Sequence, residues 1–191
     1  MATIVISIVG HERAGKDFIT SCLIGHFKEQ GTTVERFSNA DALKDLAQNI
    51  FGIDRDTLED MKIDKTNVEL MGSTMTMRDA LITISEKWVK PVFGNGVWAE
   101  VFKNLLKQTE ADIIIKTDDR YISDTQPNPA NTIYISIQRD GVTGIPSTPY
   151  YDTVNALVEN ANIKFFNNVD VSDPQFRQNF TTLIQAIKEQ L

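Results

Sequence analysis

Eight residues near the N-terminus have the types and the spacing of a phosphate-binding loop. Residues 10–17 are Gly-His-Glu-Arg-Ala-Gly-Lys-Asp and contain the pattern G-x-x-x-x-G-K. The apolar run Ile4–Val9 before them predicts a buried parallel strand, and a helical pattern follows from Phe18. In this arrangement backbone N–H groups curl around phosphates, the helix N-terminus adds a favourable dipole, and Lys16 supplies a mobile positive charge. The pattern therefore predicts a nucleoside triphosphate site.

The residue after the lysine departs from the common form of this motif. A serine or threonine is expected there as a Mg²⁺ ligand, whereas this chain has Asp17. A carboxylate is a charged oxygen ligand for the same ion, and without a cation it would repel the phosphates. We therefore predict Mg²⁺ as a cofactor beside the nucleotide, with Asp17 as its protein ligand.

Length, charge and cysteine content exclude several classes of protein. The 191 residues are enough for one domain with a substantial core. A net charge of −7 without any basic block argues against binding to nucleic acid or to anionic membranes. The single Cys22 cannot form an internal disulfide and fits a reducing cytosol. No apolar run approaches the roughly 20 residues of a membrane span, and the N-terminus lacks the basic region of a signal peptide, so we expect a cytoplasmic protein.

Strand-like segments alternate with helical patterns, which predicts a three-layer α/β/α fold around a mostly parallel, five-stranded sheet. Val34–Ser38 is the second predicted strand, and Ser38 or Asn39 is expected to cap a helix that ends at Gly52. Residues 53–75 are polar and predict one short helix followed by a loop. The remaining predicted elements are helices over 76–88 (ending before Pro91), 97–108 and 176–190, strands over 112–116, 132–137 and 161–166, and a small lid over about 139–152.

Charged residues follow the strand predicted at 112–116. Asp118, Asp119 and Arg120 come directly after it. Because the ligand crevice of a parallel α/β sheet opens at the carboxyl ends of its strands, we expect Asp118 and Arg120 to belong to the site, although they would also suit an ordinary exposed ion pair. Lys44, near the start of the second helix, is expected close to the same crevice.

The chain resembles the bacteriophage deoxynucleoside monophosphate kinases, which are relatives of the adenylate and guanylate kinases. The most specific match is the loop, where Arg13, Gly15, Lys16 and Asp17 agree with the family's version, aspartate included. Weaker matches are Ala-Leu-Lys-Asp at 42–45, Asp-Asp-Arg at 118–120 and the paired asparagines at 167–168. The resemblance is patchy but runs from residue 1 to the last helix. It implies a single P-loop kinase domain with an acceptor-binding helical part at about 39–110 and a lid at about 139–152.

The resemblance also implies roles for individual residues. Lys44 and Arg78 would hold the acceptor's phosphate, Arg139 would head the lid, and Asn167 or Asn168 would lie near the adenine of ATP. A second acceptor-binding arginine of the family is replaced here by Asn95. The implied catalytic residues are Lys16, Arg78, Asp118, Arg120 and Arg139; the implied cofactor-binding residues are Gly10, Arg13, Ala14, Gly15, Lys16, Asp17 and Asn167; and the implied substrate-binding residues are Ser38, Lys44, Arg78 and Asp118.

The activity implied by the resemblance is ATP- and Mg²⁺-dependent phosphorylation of a (deoxy)nucleoside monophosphate to the diphosphate. The implied partners are small nucleotides, without nucleic acid or membrane, and a homodimer is compatible with this activity. A phage-encoded protein of this kind would act in the host cytoplasm. Two alternatives remain open: a P-loop kinase with another small acceptor, such as dephospho-coenzyme A or a sugar, and a non-catalytic nucleotide-binding protein derived from such a kinase.

Overall fold

The computed structural model describes residues 3–146, 148 and 150–191. Its strands and helices alternate along most of the chain, as the sequence predicts. The strands are β1 (Ile4–Val9), β2 (Val34–Ser38), β3 (Asn67–Leu70), β4 (Ser73–Thr76), β5 (Ile113–Thr117), β6 (Ile133–Gln138) and β7 (Ile163–Phe166). The helices are α1 (Lys16–Glu29), α2 (Asn39–Phe51), α3 (Arg55–Ile63), α4 (Met77–Thr83), α5 (Lys90–Phe93), α6 (Val97–Gln108), α7 (Ile122–Thr125), α8 (Tyr151–Glu159) and α9 (Pro174–Lys188).

The main sheet has five strands in the order β2-β5-β1-β6-β7, which confirms the predicted α/β fold. β1 lies at its centre and pairs in parallel with both neighbours, so that Ile6 is opposite Ile115 on one side and Ile133 on the other. β6 and β7 are parallel as well. This topology brings the carboxyl ends of β1, β5, β6 and β7 to one edge of the sheet, where a ligand site is expected in an α/β fold.

The chain divides into two compact units. The first comprises Met1–Phe37 and Lys103–Leu191 and contains the five-stranded sheet, against which α1 and α9 pack through buried residues such as Leu23 and Ile184. Cys22 is half-buried against this core, as its place on the predicted first helix suggests. The second unit, Ser38–Phe102, has its own smaller core, built from residues of α2, α3, β3, α4 and the segment that follows α4.

The loop predicted within residues 53–75 is wrong in part, because β3 and β4 form an antiparallel hairpin there. The hairpin turns at Met71 and Gly72, whose φ angles are 51° and 76°. Two successive positive φ angles are the geometry of a type I′ turn, which matches the twist of a hairpin. Methionine is an unusual residue at such a position and both strands are largely polar, so the sequence pattern carries little hairpin signal.

Pro91 does not end the helix before it, contrary to the prediction. A π-helical segment, Ile84–Val89, follows α4 and leads directly into α5, with the Lys90 N–H donating to the Ser85 carbonyl. Pro91 stands in the first turn of α5, where a missing N–H is tolerated. The chain turns only at Gly94, which has a φ of 87°.

The C-terminal side of the predicted lid also differs from expectation. Tyr151 and Asp152 already belong to α8, a helix that was not predicted. Ser147 and Pro149 of the predicted lid lie outside the described residues. Near the N-terminal end of the predicted lid, Val142 packs against the core of the first unit. Within the described part of the chain, every helix is too short or too polar to cross a bilayer.

Candidate functional site

The loop between β1 and α1 has the backbone geometry of an anion-binding site. Gly10, Arg13 and Gly15 have φ angles of 149°, 68° and 93°. Left-handed residues alternating with ordinary ones turn successive N–H groups to the same side, which forms a concave nest for an anion. Gly15 caps α1 without any side-chain hydrogen bond, so the N–H groups of the first turn have no capping acceptor from that residue.

Both loop glycines are also closely packed. A Cβ atom at Gly10 would lie 2.4 Å from the carbonyl oxygen of Ile137 on β6. A Cβ at Gly15 would lie 2.1 Å from Asn167 Nδ2. At Gly10 the neighbour is backbone, so the loop can lie this close to β6 only with glycine there; at Gly15 the neighbour is the end of a side chain that can move, and it is the φ of 93° that favours glycine.

Lys16 is held inside the loop that it follows. Its Nζ donates to the carbonyl oxygen of His11 at 2.9 Å, which curls the side chain back over residues 11–16. Burial lowers the pKa of Lys16, and the negative charge of Asp118 partly offsets this effect. The Lys16 amine thus lies where phosphate oxygens would meet the loop.

Asp118 and Arg120 lie at the carboxyl end of β5 and interact with each other. Arg120 Nη2 is 3.8 Å from Asp118 Oδ1, and the Arg120 guanidinium lies 4.9 Å from the centre of the Tyr150 ring. Asp118 has a φ of 68°, a left-handed conformation that is uncommon outside glycine. Asp118 therefore lies at the edge of the sheet predicted from the sequence, where its negative charge opposes the lowering of the Lys16 pKa.

Asp17 points into solvent at the first turn of α1. Its side chain is 87% exposed, and its Oδ1 is 3.4 Å from Arg36 Nη2 on β2. Among the residues that the structure describes, no group of three or more His, Cys, Asp or Glu side chains is arranged to hold a metal. Mg²⁺ at nucleotide sites commonly takes one or two carboxylates and completes its shell with phosphate oxygens and water, so an accessible Asp17 fits that ion.

The paired asparagines lie against the loop and the end of β6. Asn167 donates through Nδ2 to the carbonyl oxygen of Ala14 at 3.0 Å, and its N–H donates to Gln138 O at 2.7 Å. Asn168 Oδ1 accepts from the Asp140 N–H at 2.8 Å. Asn167 therefore supports the backbone of the loop, a contact that the sequence did not reveal.

A cavity of about 250 Å³ opens beside the loop in the first unit. His11 forms one wall: its Nε2 lies 2.9 Å from Asn155 Oδ1, and its ring stacks on Tyr151 with centroids 6.0 Å apart. Gly144 allows this arrangement, since a Cβ there would lie 2.5 Å from His11 Nδ1. The other lining residues are Ala14, Ile137, Gln138, Arg139, Asp140, Val142, Thr143, Val158 and Phe166.

His11 and α8 were not assigned a role from the sequence. The contacts described for the His11 side chain are with residues more than 130 positions away, and no local pattern marks them. The place of His11 inside the G-x-x-x-x-G-K pattern is the one signal that could have drawn attention to it. Arg139, by contrast, was a candidate and lines the cavity, with its side chain exposed.

The remaining candidates belong to the second unit and are described within it. Ser38 is buried and accepts a hydrogen bond from the Ala40 N–H, so it is the cap of α2. Lys44 is largely buried and pairs with Glu59 at 2.5 Å and with Asp41 at 3.9 Å. Arg78 is exposed in the first turn of α4, and Asn95 is exposed in the turn before α6.

Comparison with known proteins gives no family assignment. No family model matches the chain, and no curated protein matches it. Among solved structures, the chain is similar to a protein of Borrelia burgdorferi B31 described as a plasmid partition protein and solved with AMPPNP bound, at 11% identity and a TM-score of 0.48, over 99% of this chain and 100% of that one. It is also similar to the kinase domain of the Escherichia coli tyrosine kinase ETK, at 15% identity and a TM-score of 0.43, over 90% of this chain and 71% of that one.

Proposed function

We propose that this protein transfers the terminal phosphate of ATP to a (deoxy)nucleoside monophosphate. The observation that supports it best is the loop at residues 10–17, with Lys16 curled inside it beside the charge of Asp118. Phosphoryl transfer requires little covalent chemistry from the protein, which has to align two phosphates and neutralise their charge. A backbone nest, a loop lysine and a carboxylate–arginine pair at one sheet edge are groups suited to that task.

Within this proposal each residue of the first unit has a separate task. The loop N–H groups and Lys16 bind the phosphates of ATP, and Lys16 exchanges its bond to His11 O for the phosphate oxygens on which charge develops. Arg120 and Arg139 provide further positive charge, and Asp118 orients Arg120. Mg²⁺, when bound at Asp17, neutralises charge on the donor phosphates. Residues 139–146 exclude water from the transferred group.

The cavity beside the loop is the proposed site of the donor's base. Its volume of about 250 Å³ is too small for a whole nucleotide but large enough for one heterocycle. The apolar side chains of Ile137, Val142 and Val158 suit a ring face, and the nearby polar groups of the loop and of β6 suit ring nitrogens. The acceptor would bind to the second unit, with its phosphate held by Arg78 and Lys44.

His11 provides a test of the base site. Replacing His11 by alanine removes the contact with Asn155 and the stacking on Tyr151, and with them one wall of the cavity. We expect the Kd of ATP to rise about tenfold, the effect of one hydrogen bond and one ring contact. Isothermal calorimetry measures it. His26→Ala, in the last turn of α1 and outside the cavity lining, is the matched control, and equal affinities of the two variants would contradict the assignment of the cavity.

Asp17 provides a test of the metal site. Asp17→Asn replaces a carboxylate by a neutral and poorer ligand, so the Mg²⁺ concentration for half-maximal turnover should rise about tenfold or more. The melting temperature should not change, because the exposed pair of Asp17 with Arg36 contributes little to stability. Glu29→Gln, at the other end of α1, is the control. An unaltered Mg²⁺ titration would leave Asp17 as a residue that only favours the helix N-terminus.

A coupled assay of ADP formation tests the whole proposal. ATP and Mg²⁺ are supplied with each deoxynucleoside and ribonucleoside monophosphate in turn, and with dephospho-coenzyme A and simple sugars as other acceptors. The proposal expects ADP release that depends on one or more monophosphates. Release that depends only on another acceptor would identify a different kinase, and ATP binding without any release would identify a non-catalytic nucleotide-binding protein.

A further inference from the structure

A buried polar cluster lies directly beneath the turn that carries Asp118 and Arg120. It contains an ion pair between Lys116 on β5 and Asp119, whose side chains are both fully buried, and a third charged residue, the buried Asp124. Lys116 Nζ lies 2.7 Å from Asp119 Oδ1 and donates to Asn128 Oδ1 at 2.9 Å and to the carbonyl oxygen of Asp124. The reaction proposed above assigns no task to either charge.

The other contacts of this cluster tie the turn to the centre of the sheet. Asp119 Oδ2 accepts a hydrogen bond from Ser7 Oγ of β1 at 2.8 Å. Asp124 Oδ2 accepts from the N–H groups of Arg120 and Tyr121, both at 3.0 Å. Lys116 contacts both the Asp119 carboxylate and the Asp124 carbonyl oxygen. This one lysine therefore connects the end of β5 to the start and to the end of the segment 119–124.

Stability alone does not account for a buried pair at this position. Burial lowers the pKa of Lys116 and raises the pKa of Asp119, while their mutual attraction opposes both shifts. Apolar side chains of similar volume often replace a buried ion pair without loss of stability. An apolar pair, however, could not determine which residue of the turn is buried against residue 116.

Two consecutive aspartates, Asp118 and Asp119, could each supply the carboxylate that pairs with Lys116. In an extended strand, residues 116 and 118 point to the same face, whereas residue 119 points to the other. The left-handed conformation of Asp118, with its φ of 68°, turns the chain so that Asp119 meets Lys116 instead. Such a conformation costs free energy in a residue other than glycine and persists only where surrounding contacts enforce it.

We propose that the ion pair between Lys116 and Asp119 is a positioning device, which holds Asp118 in its left-handed conformation and so presents Asp118 and Arg120 to the loop lysine. Two further residues support this device. Ser7 holds the Asp119 carboxylate, and Asp124 holds the N–H groups of Arg120 and Tyr121. The consequence for turnover rests on the proposed function, but the effect on the turn does not.

The test removes both charges together and leaves Asp118 and Arg120 in place. In Lys116→Met/Asp119→Leu, amide hydrogen exchange at Arg120 and Tyr121 should accelerate about tenfold or more, because Asp124 is no longer held. The kcat should fall about thirtyfold or more while the KM for ATP changes by less than about threefold, since the loop itself is intact. A merely structural role would lower the melting temperature, or lower kcat and raise the KM for ATP together, and would not separate kcat from KM.

The control variant is Asp112→Ala, at the opposite end of β5. Asp112 binds Thr33 through an exposed carboxylate, so its loss perturbs the same strand away from the turn. We expect exchange at Arg120 and Tyr121 and the kcat to stay within about twofold of the unaltered protein. If the double variant does not fold, Ser7→Ala, which keeps both charges, should still accelerate exchange at these two amides relative to Asp112→Ala.

Unaltered exchange at Arg120 and Tyr121 in the double variant, or in Ser7→Ala where that variant replaces it, would overturn the proposal. So would faster exchange with an undiminished kcat in a protein that proves to be a kinase. If the unaltered protein transfers phosphate to no acceptor, the proposed function fails, and the exchange measurement alone decides whether the ion pair positions the turn.

Discussion

Lys16→Ala lowers turnover by about two to three orders of magnitude, the loss seen when one group that stabilises transition-state charge is removed. Lys16 is part of the loop itself, whereas the other proposed positive charges of the first unit, Arg120 and Arg139, follow β5 and β6. The Lys16 side chain is curled within the loop at 2.9 Å from His11 O, and its charge is balanced by Asp118 at the end of β5. Rapid-quench or coupled kinetics at saturating ATP measures the loss, and circular dichroism verifies that the fold is retained.

The matched control for this variant is Lys28→Ala, an exposed lysine in the last turn of the same helix. Lys28 has the same side chain as Lys16 and belongs to the same helix, but it lies about 18 Å from Lys16 along the helix axis, given the rise of about 1.5 Å per residue. Turnover within about twofold of normal is expected for the control. Near-normal turnover in Lys16→Ala itself would mean that the loop does not bind the transferred phosphate.

Gly10→Ala destabilises the protein by about 2–5 kcal/mol, because overpacking and backbone strain act together. The added Cβ would lie 2.4 Å from the backbone oxygen of Ile137, and the φ of 149° at Gly10 is strained for any L side chain. Ile137 belongs to β6, which pairs with strands on both sides and therefore cannot move away cheaply. The midpoint of urea unfolding should fall accordingly, without a change in its slope.

Gly25→Ala is the control, and its effect on the free energy of unfolding should have the opposite sign. Gly25 lies inside α1, and a Cβ there would meet nothing within 4 Å. Alanine is favoured over glycine in a helix interior by about 0.5–1 kcal/mol, so this variant should be more stable than the unaltered protein. If Gly10→Ala unfolds at the same urea concentration as the unaltered protein, the close approach of the loop to β6 is wrong.

The features that could be predicted from the sequence are those that follow from neighbouring residues. β1, the glycine-framed loop and α1 are consecutive, and their residues determine them locally. The cap of α2 by Ser38 or Asn39 and its end at Gly52 were predicted for the same reason, and the structure has Ser38 as the cap. The site at the carboxyl ends of the strands followed from one further rule, that parallel strands end together.

The features that were missed depend on distant contacts or on unusual conformations. His11 acquires its surroundings from Gly144, Tyr151 and Asn155, which only the fold brings near it. The hairpin turn requires a positive φ at Met71, and methionine is not a residue type from which such a turn is predicted. The pairing of Lys116 with Asp119 was not predicted, because the sequence does not show that these two charged side chains are buried together.

The fate of the terminal phosphate of ATP tests the central claim most directly. Phosphorus-31 NMR of the protein with ATP, Mg²⁺ and the monophosphate that is most active in the coupled assay resolves each phosphate as the reaction proceeds. The account predicts that the γ-phosphate signal of ATP is replaced by equal amounts of two diphosphates, ADP and the diphosphate of the acceptor, and that this exchange is lost in Lys16→Ala. Conversion of ATP to ADP and inorganic phosphate alone, at a rate that the monophosphate does not change, would contradict it.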